Sequence, residues 1–487
     1  MKKMFCFMIM FCSVLLTAQP PARFYTRFGG YGHDIGYSVI QTLNGQYAVA
    51  GSTSSFGSGN TDVYLALVDS MGWVRWEKSY GGFNNDIGKS IIQLQDSGFV
   101  IAGYTNSIGN GGYDVFVVRT DKNGDLIWQK AYGGLDWDFG YAVKATPTGD
   151  SLVVCGSTYS FGYGKSDGYV LKLDLNGNLK WQKTYGGAED DEFRSFVMTY
   201  NNLYAFAGTT KSRGDVKGDC WVVKTDISGD TVTCIKYGDN KKQFINDIRE
   251  HPVTKNFYLC GGTDKVGFDS TGVYLLGLTE NGAFLFEDYH TYHKLTDEQY
   301  VAMTYSKNNE FVYVRKNAYH ASGNRKLEPM IYIFSDNNYV DTSPYGSTED
   351  DELFSVCKTK DKGFVFVGYT KGFGANQSDV FMVKIDSISL SSAVSYSIVG
   401  INEPILQNRP DYFVYPTITS SYVSIHTERN SKKTELELFD AVGRLVLKDE
   451  FSENDHEIDL TSLNNGIYYL NLRDKDMLRT FKIIKLN

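Results

Sequence analysis

The chain repeats itself, and no other feature limits its fold as strongly. The markers Phe28-Gly29-Gly30, Tyr80-Gly81-Gly82, Tyr132-Gly133-Gly134, Tyr185-Gly186-Gly187 and Tyr237-Gly238-Asp239 begin 52, 52, 53 and 52 residues apart. His290 continues the series after 53 residues and Tyr345-Gly346-Ser347 after 55. A second marker runs in parallel, the glycine of AVAGST, VIAGYT, VVCGST, AFAGTT, YLCGGT and VFVGYT: Gly51, Gly103, Gly156, Gly208, Gly261 and Gly368. The last interval, 107 residues, is two periods, so one unit has lost its glycine near Arg315. Such a period marks copies of one supersecondary unit, none able to bury its apolar face alone. Seven units follow, starting near 28, 80, 132, 185, 237, 290 and 345, with the fifth and sixth degenerate.

Each unit divides into four short strands. In the second, IGKSIIQL precedes the turn Asp96-Ser97-Gly98, FVIAGYT follows, and a Gly/Asn-rich loop leads to DVFVVRT, Asp121-Lys122-Asn123-Gly124 and LIWQKAY. Alternating apolar residues, aromatic enrichment and D-x-x-G turns specify hairpins rather than helices. Aromatics at 15% with only 9 Pro exclude collagen-like and Pro-rich disordered chains. Four strands repeated seven times predict an all-β fold, a seven-bladed β-propeller over 19–387. The seventh unit ends at DVFMVKID (379–386), without the outer strand that carries Trp76, Trp128 and Trp181 elsewhere. An unattached version of that strand, Arg23-Phe24-Tyr25-Thr26-Arg27-Phe28, precedes the first unit. Pairing the two would close the last blade and remove an open sheet edge.

GGFNNDIGKS, FVIAGYTNS, DVFVVRTDKNG and LIWQKAYGG resemble the bacterial β-propeller repeat family abbreviated SBBP, over residues 23–390. After a Ser-rich linker at 388–410 comes a module of about 80 residues, 411–487, a plausible size for a small Ig-like β-sandwich. Its phrases Val414-Tyr415-Pro416, LELFDAVGRLV, IDLTSLNNGIYYLNL and KIIKLN resemble, in order, the type A sorting domain of the type IX secretion system. Pro416-Thr417-Ile418 departs from that family's Pro-Asn-Pro, and Leu-Asn follows the final lysine. The resemblance implies periplasmic transit and outer-membrane translocation to the surface of a Gram-negative bacterium, with the secretion machinery as partner. Residues 1–18, MKKMFCFMIMFCSVLLTA, read as a signal peptide: two lysines, an apolar run too short to span a bilayer, then a small residue.

The net charge of −9 lacks the overall footprint of a nucleic-acid binder. Beyond the signal, five cysteines remain: Cys155, Cys220, Cys234, Cys260 and Cys357. No metal-binding spacing occurs among them. Cys220 and Cys234 flank the turn 226–229 and can be drawn as a hairpin disulfide; isolated buried thiols are the preferred reading.

Two aspartate series repeat: Asp34, Asp86, Asp138, Asp191 and Asp351 at the unit start, and Asp62, Asp114, Asp167, Asp219 and Asp379 further on. A ring of carboxylates binding cations is one interpretation. The preferred one is a side chain capping backbone N–H groups, repeated because the unit is repeated. Asp121-Lys122-Asn123-Gly124-Asp125 resembles the start of a calcium loop but lacks the later bidentate Glu. His290 and His293 have no Glu-bearing helix around them for zinc hydrolysis. Glu349-Asp350-Asp351 are neighbours on a loop, not the opposed pair that glycoside hydrolysis needs. Trp73 and Trp137 are candidates for stacking on sugar faces, whereas Trp76, Trp128 and Trp181 are expected to pack between blades. No catalytic, cofactor-binding or metal site is therefore assigned. The expected function is a secreted, non-enzymatic propeller binding a glycan or protein. The alternatives are a polysaccharide-degrading enzyme with its site at a propeller mouth, or a surface-layer component.

Overall fold

The computed structural model describes residues 24–385 except 215, 268–270, 291–297, 306–310, 318, 322–323, 327–329, 336–337, 342–346 and 348. It also describes 413–485 except 416–417, 420–421, 427–432, 442, 454 and 474–477. The signal peptide 1–18, the linker 388–410, His293 and the Tyr345-Gly346 marker lie outside the described residues. The chain divides into two compact units, 1–395 and 396–487.

Among the described residues there is no helix, and unit 1 contains seven four-stranded antiparallel sheets. The second sheet is typical: Asp86–Gln93, Phe99–Thr105, Asp114–Thr120 and Leu126–Tyr132, paired in chain order. The turn chemistry accounts for the hairpins. Asp121 Oδ1 accepts the N–H groups of Asn123 and Asp125, both at 2.8 Å, closing an Asx turn that Gly124 completes at φ 79°. Asp69, Asp174 and Asp226 make the same bonds in neighbouring sheets.

The sheets pack face on, so their middle strands are apolar on both sides. Tyr47–Thr53 and Asp62–Val68 are buried throughout, while the fourth strand Val74–Tyr80 alternates between partial burial and exposure. The fourth strands of the first three sheets reach the next sheet. Trp76 lies against the turn at Gly124, Trp128 against Gly177 and Trp181 against Gly229. The hydroxyls of Tyr80, Tyr132 and Tyr185 donate to the carbonyls of those same glycines, each at 2.6 Å. These tryptophans therefore pack between sheets.

Strand Phe24–Phe28 pairs antiparallel with Asp379–Ile385, Phe28 opposite Val380 and Phe24 opposite Lys384. Phe24 covers Gly72 of the first sheet as Trp76 covers Gly124. Phe28, Val380 and Met382 share a core with Val39, Val49 and Tyr64. The first strand of every sheet touches the first strands of the sheets before and after it, and the seventh touches the first.

Every one of these seven first strands carries a β-bulge at its fourth residue, where the register slips by one. The extra residues are Tyr37, Lys89, Tyr141, Arg194, Asn246, Val301 and Phe354. The bulge accounts for the repeated A-G-x-T glycine. A β-carbon on Gly103 would collide with the carbonyl of Ile87, and one on Gly51 with that of Ile35. In the sixth sheet Arg315 takes this place opposite Tyr300.

Register also corrects the hairpin disulfide. Cys220 lies opposite Tyr237 and Cys234 opposite Val223, and both are free thiols. Cys220 is buried; Cys234 is exposed and accepts the Trp221 Nε1–H at 3.1 Å. Cys155, Cys260 and Cys357 are also free.

Unit 2 has a three-stranded sheet (Phe413–Tyr415, Tyr422–His426, Asp455–Asp459) and a five-stranded one (Ile418–Thr419, Leu478–Lys485, Gly466–Arg473, Thr434–Asp440, Leu445–Phe451). Val423, Ile425 and Ile458 from the first share a core with Leu436, Leu438, Leu470, Leu472 and Ile483 from the second. Alternation in TELELFD and GIYYLNLR places these leucines on one face.

Candidate functional site

The first strands touch all the way round, and five of their bulged residues, Tyr37, Lys89, Tyr141, Arg194 and Phe354, come close to one another. Lys89 Nζ lies 3.3 Å from the centroid of the Tyr37 ring and 5.8 Å from that of Tyr104. Tyr37 in turn is 5.3 Å from Phe354, and Arg194 sits 4.2 Å above Tyr141. Arg194 also pairs with Glu192 at 2.8 Å. Asn246 is spent internally, donating to Gln299 Oε1 at 2.9 Å and to the Tyr300 carbonyl at 2.8 Å.

Aromatic side chains continue outward from this cluster. Phe139 contacts Tyr104 at 5.1 Å and Trp137 at 6.3 Å; Trp137 also meets Tyr113 and Tyr159 edge-on, each at 6.4 Å. Trp137 is 52% exposed and Tyr159 is exposed, so the cluster opens to solvent. Tyr31, Phe83 and Leu135, each third from its marker, are also exposed.

Burial governs the electrostatics here. The Lys89 ammonium is pushed down to about 7, first by burial and then by the like charge of Arg194. Tyr37 and Tyr141 are raised chiefly by burial, and the Tyr104 phenol is driven up the same way. Lys144, on the same first strand as Tyr141, is lowered to about 8 by burial but has Asp247 opposing the shift. Among the described residues no carboxylate pairs with Lys89.

The sequence candidates fall into place around this mouth. Trp137 joins it. Trp73 does not: it is 69% exposed at a turn closed by Asp69. The unit-start aspartates are wholly buried caps. Asp34, Asp86 and Asp138 accept the N–H of Gly30, Gly82 and Gly134 at 2.7–2.8 Å, and the hydroxyls of Ser55, Ser107 and Ser160 at 2.6–2.7 Å. Asp191 caps Gly187 at 2.9 Å, and Asp351 accepts from Ser347 N–H. In the second series Asp62, Asp114 and Asp167 cap Gly59, Asn110 and Tyr163 at 3.0, 2.9 and 2.6 Å.

The two series meet between sheets. A β-carbon on Gly133 would strike both Asp114 Oδ1 and Asp138 Oδ2, and one on Gly186 would lie against Asp167 and Asp191. Asp62 and Asp86 meet likewise at Gly81. Burial followed by the facing carboxylate raises Asp62 and Asp114, and takes Asp167 to about 6. At two junctions a cation enters instead. Lys236 pairs with Asp219 at 3.2 Å, where Gln243 replaces the facing aspartate, and Arg27 pairs with Asp379. Among the described residues no group of three or more His, Cys, Asp or Glu is arranged to hold a metal ion.

Asp121 closes a turn, as above. Asp350 pairs with Lys371 at 2.9 Å, Glu349 is exposed and Asp351 is buried, so these three do not oppose one another. His290 ends strand Phe284–His290 opposite Val273. Tyr37, Lys89, Tyr141 and Arg194 were not among the sequence candidates. Their signal was a position three after the start of each first strand, where the aligned units carry Tyr, Lys, Tyr, Arg, Asn, Val and Phe.

Residues 413–486 match the family described as the secretion system C-terminal sorting domain. The regulatory protein FlaEY of Caulobacter vibrioides is 26% identical over 210 residues, 39% of this chain and 21% of that protein, so the chain spans about a fifth of that relative's length. Polysaccharide lyase Uly1 aligns with 72% of this chain and 90% of its own at 9% identity and TM-score 0.45. Sqt1 from Chaetomium thermophilum aligns with 71% and 82% at 12% identity and TM-score 0.42. At these scores neither likeness assigns an activity.

Proposed function

We propose that this chain is a secreted, non-enzymatic binding protein: a seven-bladed β-propeller of the SBBP repeat type, closed by its N-terminal strand and carried to the cell surface by a β-sandwich sorting domain. Its ligand is a saccharide taken at the mouth formed by the bulged residues. One observation carries the binding reading: the bulges bring Tyr37, Lys89, Tyr141, Arg194 and Phe354 together, and Phe139 links them to a half-exposed Trp137.

The match over 413–486 supports export by a type IX system, with the signal-like residues 1–18 supplying periplasmic entry. Among the described residues no helix is long and apolar enough to cross a membrane. A glycan array with the full chain, scored beside a turnover assay, tests the function. Saturable binding that Trp137→Ala weakens at least tenfold, without product release, is expected. Binding that ignores Trp137 overturns the assignment of the site. A second reading, an enzyme, is favoured by Lys89 alone, whose ammonium near neutrality suits proton transfer. Product formation abolished by Lys89→Met would establish it.

A further inference from the structure

Three cations of unit 1 have the carboxylate partner that Lys89 lacks. Arg119 pairs with Asp96, Lys384 with Asp361 at 2.7 Å, and Lys265 with Glu287 at 2.9 Å. Burying a charge without a counter-ion is strongly unfavourable, so buried basic side chains are found paired. Lys89 has two tyrosine faces and, nearby, a second cation. Glu192 is already paired to Arg194, and Glu352 faces Tyr37 and Tyr369. Of the two cations, Arg194 has a carboxylate partner and Lys89 has none among the described residues.

We propose that the mouth takes a carboxylate-bearing saccharide, the acid group lying between Lys89 and Arg194 and the sugar ring stacked on Trp137. This deepens the saccharide reading above and rests on it. A carboxylate supplies the missing counter-ion, and the guanidinium edge of Arg194 left by Glu192 suits an oxyanion. The aromatic rim supplies an apolar face wide enough for a pyranose. Binding restores the proton that burial and Arg194 draw from Lys89, so complex formation absorbs protons at pH 7.5.

The test is calorimetry on the full chain with trisaccharides of galacturonate, glucuronate, mannuronate and guluronate, each beside its methyl ester, and with sodium acetate as a carboxylate without a ring. At least one acid is expected to bind ten-fold or more tighter than its ester. Its heat should vary with the ionisation enthalpy of the buffer, showing uptake of a fraction of a proton. Lys89→Met should lose both affinity and proton uptake, while Lys89→Arg retains affinity, which separates loss of charge from misfolding. Acid and ester binding equally, with Trp137→Ala still weakening both, refutes the anionic ligand and leaves the saccharide reading intact. No binding by any sugar refutes both. Acetate binding as tightly as the best acid sugar refutes the stacked ring.

Discussion

Asp167 is buried with its carboxylate aimed at Asp191, and its pKa stands at about 6 against an ordinary value near 3.9. A carboxyl whose folded pKa is raised contributes nothing below the unfolded value. As pH climbs from about 4 to about 6 the unfolded chain sheds the proton that the folded chain keeps, and stability falls. The penalty above pH 6 is on the order of 2–3 kcal/mol. Asp167→Asn keeps an acceptor for Tyr163 N–H and removes the charge. It should raise the melting midpoint at pH 7.5, corresponding to about 1–2 kcal/mol, and leave it unchanged at pH 4. A variant less stable at pH 7.5 would show that the ionised pair is favourable. The chain makes a comparable exchange at the next junction, where Gln243 faces Asp219. Gly103 shows the opposite sensitivity. A methyl group there meets the Ile87 carbonyl, so Gly103→Ala should cost about 2–4 kcal/mol in chemical denaturation, and a loss under 1 kcal/mol would mean the bulge relaxes freely.

Among elements, the fourth strands hold neighbouring sheets together, and their legibility in the sequence was uneven. The Trp and Tyr of R-W-E-K-S-Y and its copies stood out because their contacts are copied: Tyr132 OH to Gly177 O repeats Tyr80 to Gly124. Tyr132→Phe should therefore cost about 1 kcal/mol without altering the far-ultraviolet spectrum. The strand Phe24–Phe28 was legible by its absence elsewhere, since the seventh unit lacked it. Removing 24–28 exposes the edge at Asp379–Ile385 and the core around Val380 and Met382, and should lower the melting midpoint by about 10 °C or more. An unchanged midpoint would mean that the edge is closed some other way. The bulge was not legible. Nothing in D-I-G-K-S or D-F-G-Y-A distinguishes a slipped register from a regular one until the partner strand is placed, so the residues aimed into the mouth passed as ordinary strand positions. The hairpin register places Cys220 opposite Tyr237 and Cys234 opposite Val223, three residues away from a facing pair.

At the scale of the whole molecule, repetition and its interruption divide the work. The copied positions, Asp caps, bulge glycines and Trp–turn contacts, build a scaffold insensitive to which unit they occupy. Among the uncopied ones, Tyr37, Lys89, Tyr141, Arg194 and Phe354 lie at the bulges of the first strands. The sorting domain contributes an address: deleting 413–486 should leave the protein in the periplasm, which fractionation and surface protease treatment would show, and continued surface display would refute its role. The most direct test combines the two changes at the mouth. Trp137 is half exposed and Lys89 has no counter-ion among the described residues, so replacing them touches binding more than packing. For the Trp137→Ala, Lys89→Met double variant, saccharide affinity should be lost while the melting midpoint stays within a few degrees of the parent. Undiminished affinity at that unchanged midpoint would contradict a ligand site at the convergence of the first strands.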